Sequence, residues 1–237
     1  YGHPADVDTI DEIAERHGLK VIYDAAHAFG VDCHCGSVLN HGDASVLSFH
    51  ATKVFNTFEG GAIISKTPEL KAYVDQLKNF GHAGETQVIA TGLNGKVSEV
   101  NAAFGLVQLR HVKDALAQRG LIDARYRAAL KDVPGVTCVA DTGEATSNYA
   151  YFPVLIGPDF PMSRDALYHH MKAHGVHPRR YFYPLICEFE MYRDLPSAAL
   201  ENLPHAYRAS REILCLPIYP DLNEASVDRI ITLIAQA

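Results

Sequence analysis

The 237-residue sequence has no tryptophan, only three methionines, and no apolar run near the roughly 20 residues that a membrane-spanning helix needs. Basic residues are in deficit: 21 Lys and Arg stand against 28 Asp and Glu, a formal net charge of −7. A nucleic-acid or anionic-membrane partner calls for a basic face, so neither is expected. There is no internal repeat and no low-complexity tract. No G-x-G-x-x-G follows the first apolar run, which argues against a dinucleotide-binding domain. The opening residues, Tyr1-Gly2-His3-Pro4-Ala5-Asp6, are polar and turn-forming, and no signal peptide is expected there.

Five cysteines is an odd number in a chain too large to need disulfide stapling, which favours a reducing compartment and a cytoplasmic location. Cys33-His34-Cys35 resembles half of a metal site. Zinc sites, however, space their first two cysteines by two to four residues and need a second pair elsewhere. Cys138, Cys187 and Cys215 stand alone. No metal is expected, and the 33–35 segment is taken as a solvent-side loop.

What is present is an alternation of short apolar runs and amphipathic stretches. Residues 8–17 form a candidate helix, with Asp8 as its cap and Gly18 as its end. Leu19 to Tyr23 is a short apolar run that stops at Asp24, as a buried parallel strand would. Ala44 to Phe49 and Gly61 to Ser65 are two more such runs. Helices are expected at Pro68 to Leu77 and from Ser98 to about Leu130. Together these predict an α/β domain with helices on both faces of its sheet. Beyond it, a strand is expected over 149–156, a helix capped by Ser163 over 163–173 and a strand over 177–181. Two closing helices are expected over 203–214 and 223–235. This is a smaller α+β unit, and the boundary is drawn at residue 120: a first domain over 1–120, a second over 121–237. Three strands are a thin centre for the first, as if the chain began part-way through a domain.

In an open α/β sheet, ligands sit at the carboxyl ends of the strands. Asp24 ends its strand and is followed by Ala25, Ala26, Ala28 and Gly30, small enough to let a flat ligand approach. Lys53 follows the next strand, near Ser48, His50 and Thr52 and before the tight turn Glu59-Gly60-Gly61. A turn-capping aspartate and a solvated lysine are the competing readings. As a set, however, an Asp, a Lys and a hydroxyl at adjacent strand ends suit a pyridinium cofactor: the Asp keeps the ring nitrogen protonated, the Lys forms the Schiff base and the Ser binds phosphate.

Several separated segments in order resemble the DegT-type (DegT/DnrJ/EryC) sugar aminotransferases. They are Tyr1 to Asp6, Val21 to Gly30, Ser48-Phe49-His50-Ala51-Thr52-Lys53, Glu59 to Ile63, Asn94 to Glu99, Arg179 to Leu185 and Leu216 to Pro220. The resemblance implies fold type I of the pyridoxal-phosphate transferases (aspartate aminotransferase-like): the C-terminal part of the large domain plus the small domain. It implies pyridoxal 5'-phosphate as cofactor, with Lys53 as Schiff-base lysine and proton carrier and Asp24 on the pyridine nitrogen. It further implies His27 near the ring and its 3-hydroxyl, and Ser48 on the phosphate. Asn94 matches an asparagine that reaches the phosphate of a neighbouring subunit, so a homodimer with shared active sites follows.

His50 is a candidate substrate contact or a structural hydrogen-bonding group. Arg180, Tyr181 and Tyr183 are candidates for the sugar nucleotide or ordinary surface residues. Many relatives carry His after the Pro-Leu pair where this chain has Ile186 and Cys187, so no His contact is expected there. The N-terminal third usual in the family, with its Gly-Thr phosphate turn at a helix N-terminus, is absent.

The implied reaction moves an amino group from L-glutamate to a 4-keto-6-deoxy nucleotide sugar for surface polysaccharide. A 3-keto sugar aminotransferase, and a truncated non-catalytic fragment serving only dimerisation or binding, are the alternatives. Related dehydratases replace the lysine with His; Lys53 stands here.

Overall fold

The computed structural model describes residues 1–34, 36–140 and 146–237, which form two compact units. The first comprises Tyr1–Leu116 with Thr142–Ala150, the second Ala117–Asp141 with Tyr151–Ala237. The division falls inside a helix and gives the segment before Tyr151 to the first unit. None of the helices is long and apolar enough to cross a membrane among the described residues.

The first unit opens on α1 (Val7–His17). Its N-cap is Asp6, whose carboxylate accepts from Thr9 N at 3.1 Å, so the expected cap at Asp8 is off by two residues. Gly18 closes the helix in the left-handed conformation that favours glycine. Strands β1 (Ile22–Asp24), β4 (Ala44–Ser48) and β5 (Gly61–Ser65) form one sheet in the order β1-β4-β5. β1 and β4 are parallel, with Asp24 opposite Val46, whereas β5 runs antiparallel to β4, with Gly61 opposite Ser48.

The strand expected over 19–23 is shifted toward Asp24 and is not buried. Leu19 is 56% exposed and Ile22 70%, and on the same sheet face Val46 and Ile63 are 39% and 48% exposed. Apolarity alone signals a strand that can be covered, not one that is. The opposite face holds fully buried Ser45 and buried Leu47.

Between β1 and β4 lies a small hairpin, β2 (Asp32–Cys33) with β3 (Gly36–Ser37). Cys33 is thus a half-buried strand residue, not part of a solvent-side loop; Cys35 lies outside the described residues. A 3₁₀ turn over Val38–Asn40 leads to β4. α2 (Pro68–Leu77) is capped by Thr67, and α3 spans Glu99–Leu130.

The second unit is built on a three-stranded antiparallel sheet, β6 (Val136–Cys138), β7 (Phe152–Ile156) and β8 (Ile213–Leu216), in that order. Phe152, Val154 and Leu214 are wholly buried, packed with Tyr126 and Leu130 of α3. α4 (Arg164–Ala173) is capped by Ser163 and α6 (Glu224–Ala235) by Asn223. Two expectations fail here. Residues 177–181 form no strand but a single bridge, Arg179 to Cys215. The helix expected over 203–214 stops early: α5 is Pro204–Glu212, and Ile213–Leu216 is β8, buried at every residue. Four consecutive apolar residues fit a strand buried on both faces and have no helical stripe.

Buried Arg164 shows how the second unit manages charge. Its guanidinium donates to Ser210 O at 3.0 Å, Ile213 O at 2.8 Å and the Asp165 carboxylate at 2.8 Å. Its Nε and Nη1 donors are thus both matched, as burial of a charge requires.

Candidate active site

The parallel pairing of β1 with β4 brings the carboxyl ends of both strands to the same edge of the sheet. Asp24 ends β1 and Ser48 ends β4. The chain leaves β1 in a tight turn: Asp24 Oδ1 accepts from Ala26 N at 3.0 Å and Ala25 N donates to Val46 O at 2.9 Å. Leaving β4, Ser48 Oγ accepts from His50 N at 3.3 Å, and Lys53 N donates to His50 O at 2.9 Å. Asp24 stays exposed and Lys53 half-buried, and Lys53 makes no ion pair among the described residues.

His27 reports on its neighbours. Burial first, then the Lys53 ammonium, push its imidazole down to about 4 against the pull of Asp24. It is therefore a neutral ring at neutral pH. Asp24, His27 and Lys53 thus share one electrostatic neighbourhood, with Ser48 at the end of the adjoining strand.

His50 is engaged locally. Its Nδ1 accepts from Thr52 N at 3.2 Å and lies 2.9 Å from Thr52 Oγ1, while Nε2 is 3.7 Å from Glu59. Asn94 joins none of these hydrogen bonds. It forms a bridge with Asn79 and lines a cleft with Gly60, Gly61 and Asn101.

Arg180, Tyr181 and Tyr183 belong to the second unit. Arg180 donates to Asp165 at 2.9 Å and lies 4.3 Å over the Tyr168 ring. The Tyr183 hydroxyl accepts from Arg211 Nη1 at 2.7 Å, and its ring meets the guanidinium groups of Arg164 and Arg211 at 4.9 and 4.8 Å. Arg211 also pairs with Glu188. Tyr181 stacks on Phe182, with ring centroids 4.8 Å apart. These side chains are held by internal partners, an order that the Arg-Arg-Tyr-Phe-Tyr pattern alone does not disclose.

A carboxylate, an amine, a neutral imidazole and a hydroxyl at one sheet edge, bordered by three alanines, fit the ring nitrogen, carbonyl and phosphate of pyridoxal phosphate.

Comparison with known proteins bears on the family and the fold. The profile of the DegT/DnrJ/EryC1/StrS aminotransferase family matches residues 1–235. The chain belongs to this family. It is 48% identical over 236 residues to a dTDP-4-amino-4,6-dideoxy-D-glucose transaminase of Shigella dysenteriae, covering 100% of this chain and 64% of that protein. The Escherichia coli protein of the same description is 49% identical over 235 residues, covering 99% and 63%. Among solved structures, DesI in the presence of its TDP-sugar product superposes with a TM-score of 0.92 at 35% identity, over 100% of this chain and 60% of that one. DesV in complex with a ketimine intermediate gives 0.90 at 28% identity, over 100% and 62%. The fold is therefore the family's, and the chain spans 63–64% of the length of these two transaminases.

Within this DegT/DnrJ/EryC1/StrS chain, the side chains that fix the site have partners distant in sequence. Phe29 stacks on Phe55 with centroids 4.5 Å apart, and Phe49 meets Phe55 edge-on at 4.9 Å. This trio pins the loop after β1 to the loop after β4, which carries Lys53. Buried Asn148 donates from Nδ2 to His27 O at 2.7 Å and to Phe29 O at 2.9 Å. Gly2, at φ +97, leaves room for that amide: a Cβ there would stand 2.8 Å from Asn148 Oδ1. Gly60 is equally constrained, since a Cβ would fall 2.4 Å from Thr57 Oγ1, whose hydroxyl donates to Glu59 O. Only the Glu59-Gly60-Gly61 turn had a sequence signal.

Proposed function

We propose that this chain carries the cofactor-binding residues of a pyridoxal-phosphate aminotransferase. The reaction moves an amino group from L-glutamate to a 4-keto-6-deoxy nucleotide sugar of the dTDP-4-dehydro-6-deoxyglucose type. The observation that carries this reading is the grouping of Asp24, His27, Ser48 and Lys53 at the carboxyl ends of β1 and β4. It occurs in a chain 48% identical to a transaminase of that sugar class.

When bound, pyridoxal phosphate supplies an electrophilic carbonyl and a ring that withdraws electrons from the reacting carbon. Lys53 Nζ is the attachment point and the group that moves the proton. The Asp24 carboxylate holds a proton on the ring nitrogen. His27, neutral because of burial and the Lys53 charge, would border the ring without adding positive charge beside it. The Ser48 hydroxyl donates to the phosphate. Arg180, Tyr181 and Tyr183 of the second unit are proposed for the sugar nucleotide and His50 of the first for substrate; internal hydrogen bonds and stacking hold each of them in place within its own unit.

Asn94 completes the phosphate site of a second subunit. A homodimer is supported by the exposed apolar residues Val100, Leu106, Val107 and Leu109 along α3. The product serves surface polysaccharide assembly in the cytoplasm.

The test uses the full-length protein with pyridoxal phosphate, L-glutamate and dTDP-4-dehydro-6-deoxyglucose, with the product examined by NMR. An amine on C4 is expected, and none from Lys53→Ala. Turnover by Lys53→Ala at the wild-type rate would overturn the assignment, and an amine on C3 would select the 3-keto reading. Borohydride reduction of the 237-residue chain with the cofactor, followed by mass spectrometry of the Lys53 peptide, shows whether this length of chain suffices.

A further inference from the structure

A second cluster lies away from these residues, on α1, β2 and the turn before β4. Cys33 Sγ lies 3.5 Å from His41 Nε2, and His41 Nδ1 lies 3.3 Å from Asp11 Oδ2. The two ring nitrogens thus face a thiol on one side and a carboxylate on the other. With Nδ1–H directed at Asp11, Nε2 is the atom able to take the Cys33 proton, the arrangement by which a carboxylate orients a histidine toward a nucleophile. The His41 side chain is only 13% exposed.

The Gly36 carbonyl accepts from the thiol at 3.2 Å and opposes ionisation. Burial also disfavours charge on His41, but its hydrogen bonds to Cys33 and Asp11 outweigh that and raise the imidazole above its ordinary value. Asp8, 3.5 Å from His34, and Asp6 add negative charge on α1 and its cap, and Tyr23 feels both Asp11 and Asp6. Acidic surroundings and a half-buried sulfur select small, neutral electrophiles over anionic ones.

We propose that Cys33, His41 and Asp11 form a nucleophilic thiol centre whose reactant is a small neutral peroxide. The Cys33 thiol yields its proton to His41 Nε2, and the sulfur attacks one peroxide oxygen. The O–O bond breaks, the sulfur is oxidised to a sulfenic acid, and the departing oxygen takes the proton from His41. For hydrogen peroxide, one thiol and one peroxide give one sulfenic acid and one water. This centre is independent of the aminotransferase reading, since it uses none of those residues.

The test treats the 237-residue chain, bearing Cys35→Ser to remove the adjacent thiol, with hydrogen peroxide. Dimedone traps sulfenic acid, and mass spectrometry compares the Cys33 and Cys187 peptides. Cys33 should label about tenfold faster than half-buried Cys187, slow about tenfold with His41→Gln, and slow several-fold with Asp11→Asn. Iodoacetamide should outpace the anionic iodoacetate at Cys33. Circular dichroism checks the fold of each variant; if His41→Gln fails to fold, the partly exposed Asp11→Asn decides. Labelling of Cys33 no faster than of Cys187, or unchanged by Asp11→Asn, overturns the proposal.

Discussion

Each unit holds a three-stranded sheet, and the two sheets are finished to different degrees. In the second unit β7 and β8 are sealed under α3, α4 and α6, with no solvent at Phe152, Val154 or Leu214. In the first, a face carrying Ile22, Val46 and Ile63 is open, yet the chemistry-bearing residues lie at its strand ends. The second sheet is the more apolar, all but Thr137 and Pro153 of its strand residues, and it is also the better covered. The lesson is that stability and chemistry are separable here, since Lys53 and its neighbours are fixed by local loop contacts more than by a closed sheet.

Substitution tests that contrast directly. Phe152→Ala in the sealed sheet should cost about 3–5 kcal/mol in denaturant unfolding, whereas Ile63→Ala on the open face should cost about 0.5 kcal/mol or less. Equal costs would break the contrast. Asn148→Ala comes next. It strips the donor from two carbonyls of the His27 loop and should cost about 1–3 kcal/mol, with NMR shift changes concentrated at residues 27–29.

Titration gives a finer measure. His27 should titrate near 4 by NMR, and its midpoint should rise in Lys53→Met, where the ammonium is gone. Its folded value lies below its ordinary 6.5, so the unfolded chain binds more protons between those values. Stability therefore falls as pH drops through that window. His41 is the opposite case. Its raised value means its ion pair stabilises the fold below the ordinary value and fades as pH rises through the folded one. Asp11→Asn should lower its midpoint, the smallest effect of the set.

Much of this was legible in the residues. Gly18 ended its helix, Ser163 capped α4, and Gly61–Ser65 and Pro68–Leu77 fell where periodicity and turn chemistry placed them. Asp24 could be set at a strand end because a short apolar run stops there, whereas the run over Ala44 to Phe49 overshoots the end of β4 at Ser48 by one residue. The features with no local signal depend on partners distant in sequence. Ile213–Leu216 adjoins a helix with no turn residue between them, and its strand state comes from pairing with β7. Asn148 carries no local motif, and the thiol of Cys33 meets His41 only because a hairpin and a 3₁₀ turn fold back on α1. Cys33-His34-Cys35 resembles half of a metal motif, yet the His that Cys33 meets is eight residues on.

The Asn148 clamp also bears on the order of events during synthesis. Its partner carbonyl at His27 lies 121 residues earlier. A chain growing from its N-terminus exposes Asp24, Ser48 and Lys53 well before that amide leaves the ribosome. Until then the His27 loop has two carbonyls without their donor, and closing so long a span awaits the β7 side of the chain. The residues proposed for chemistry are thus made early and locked late.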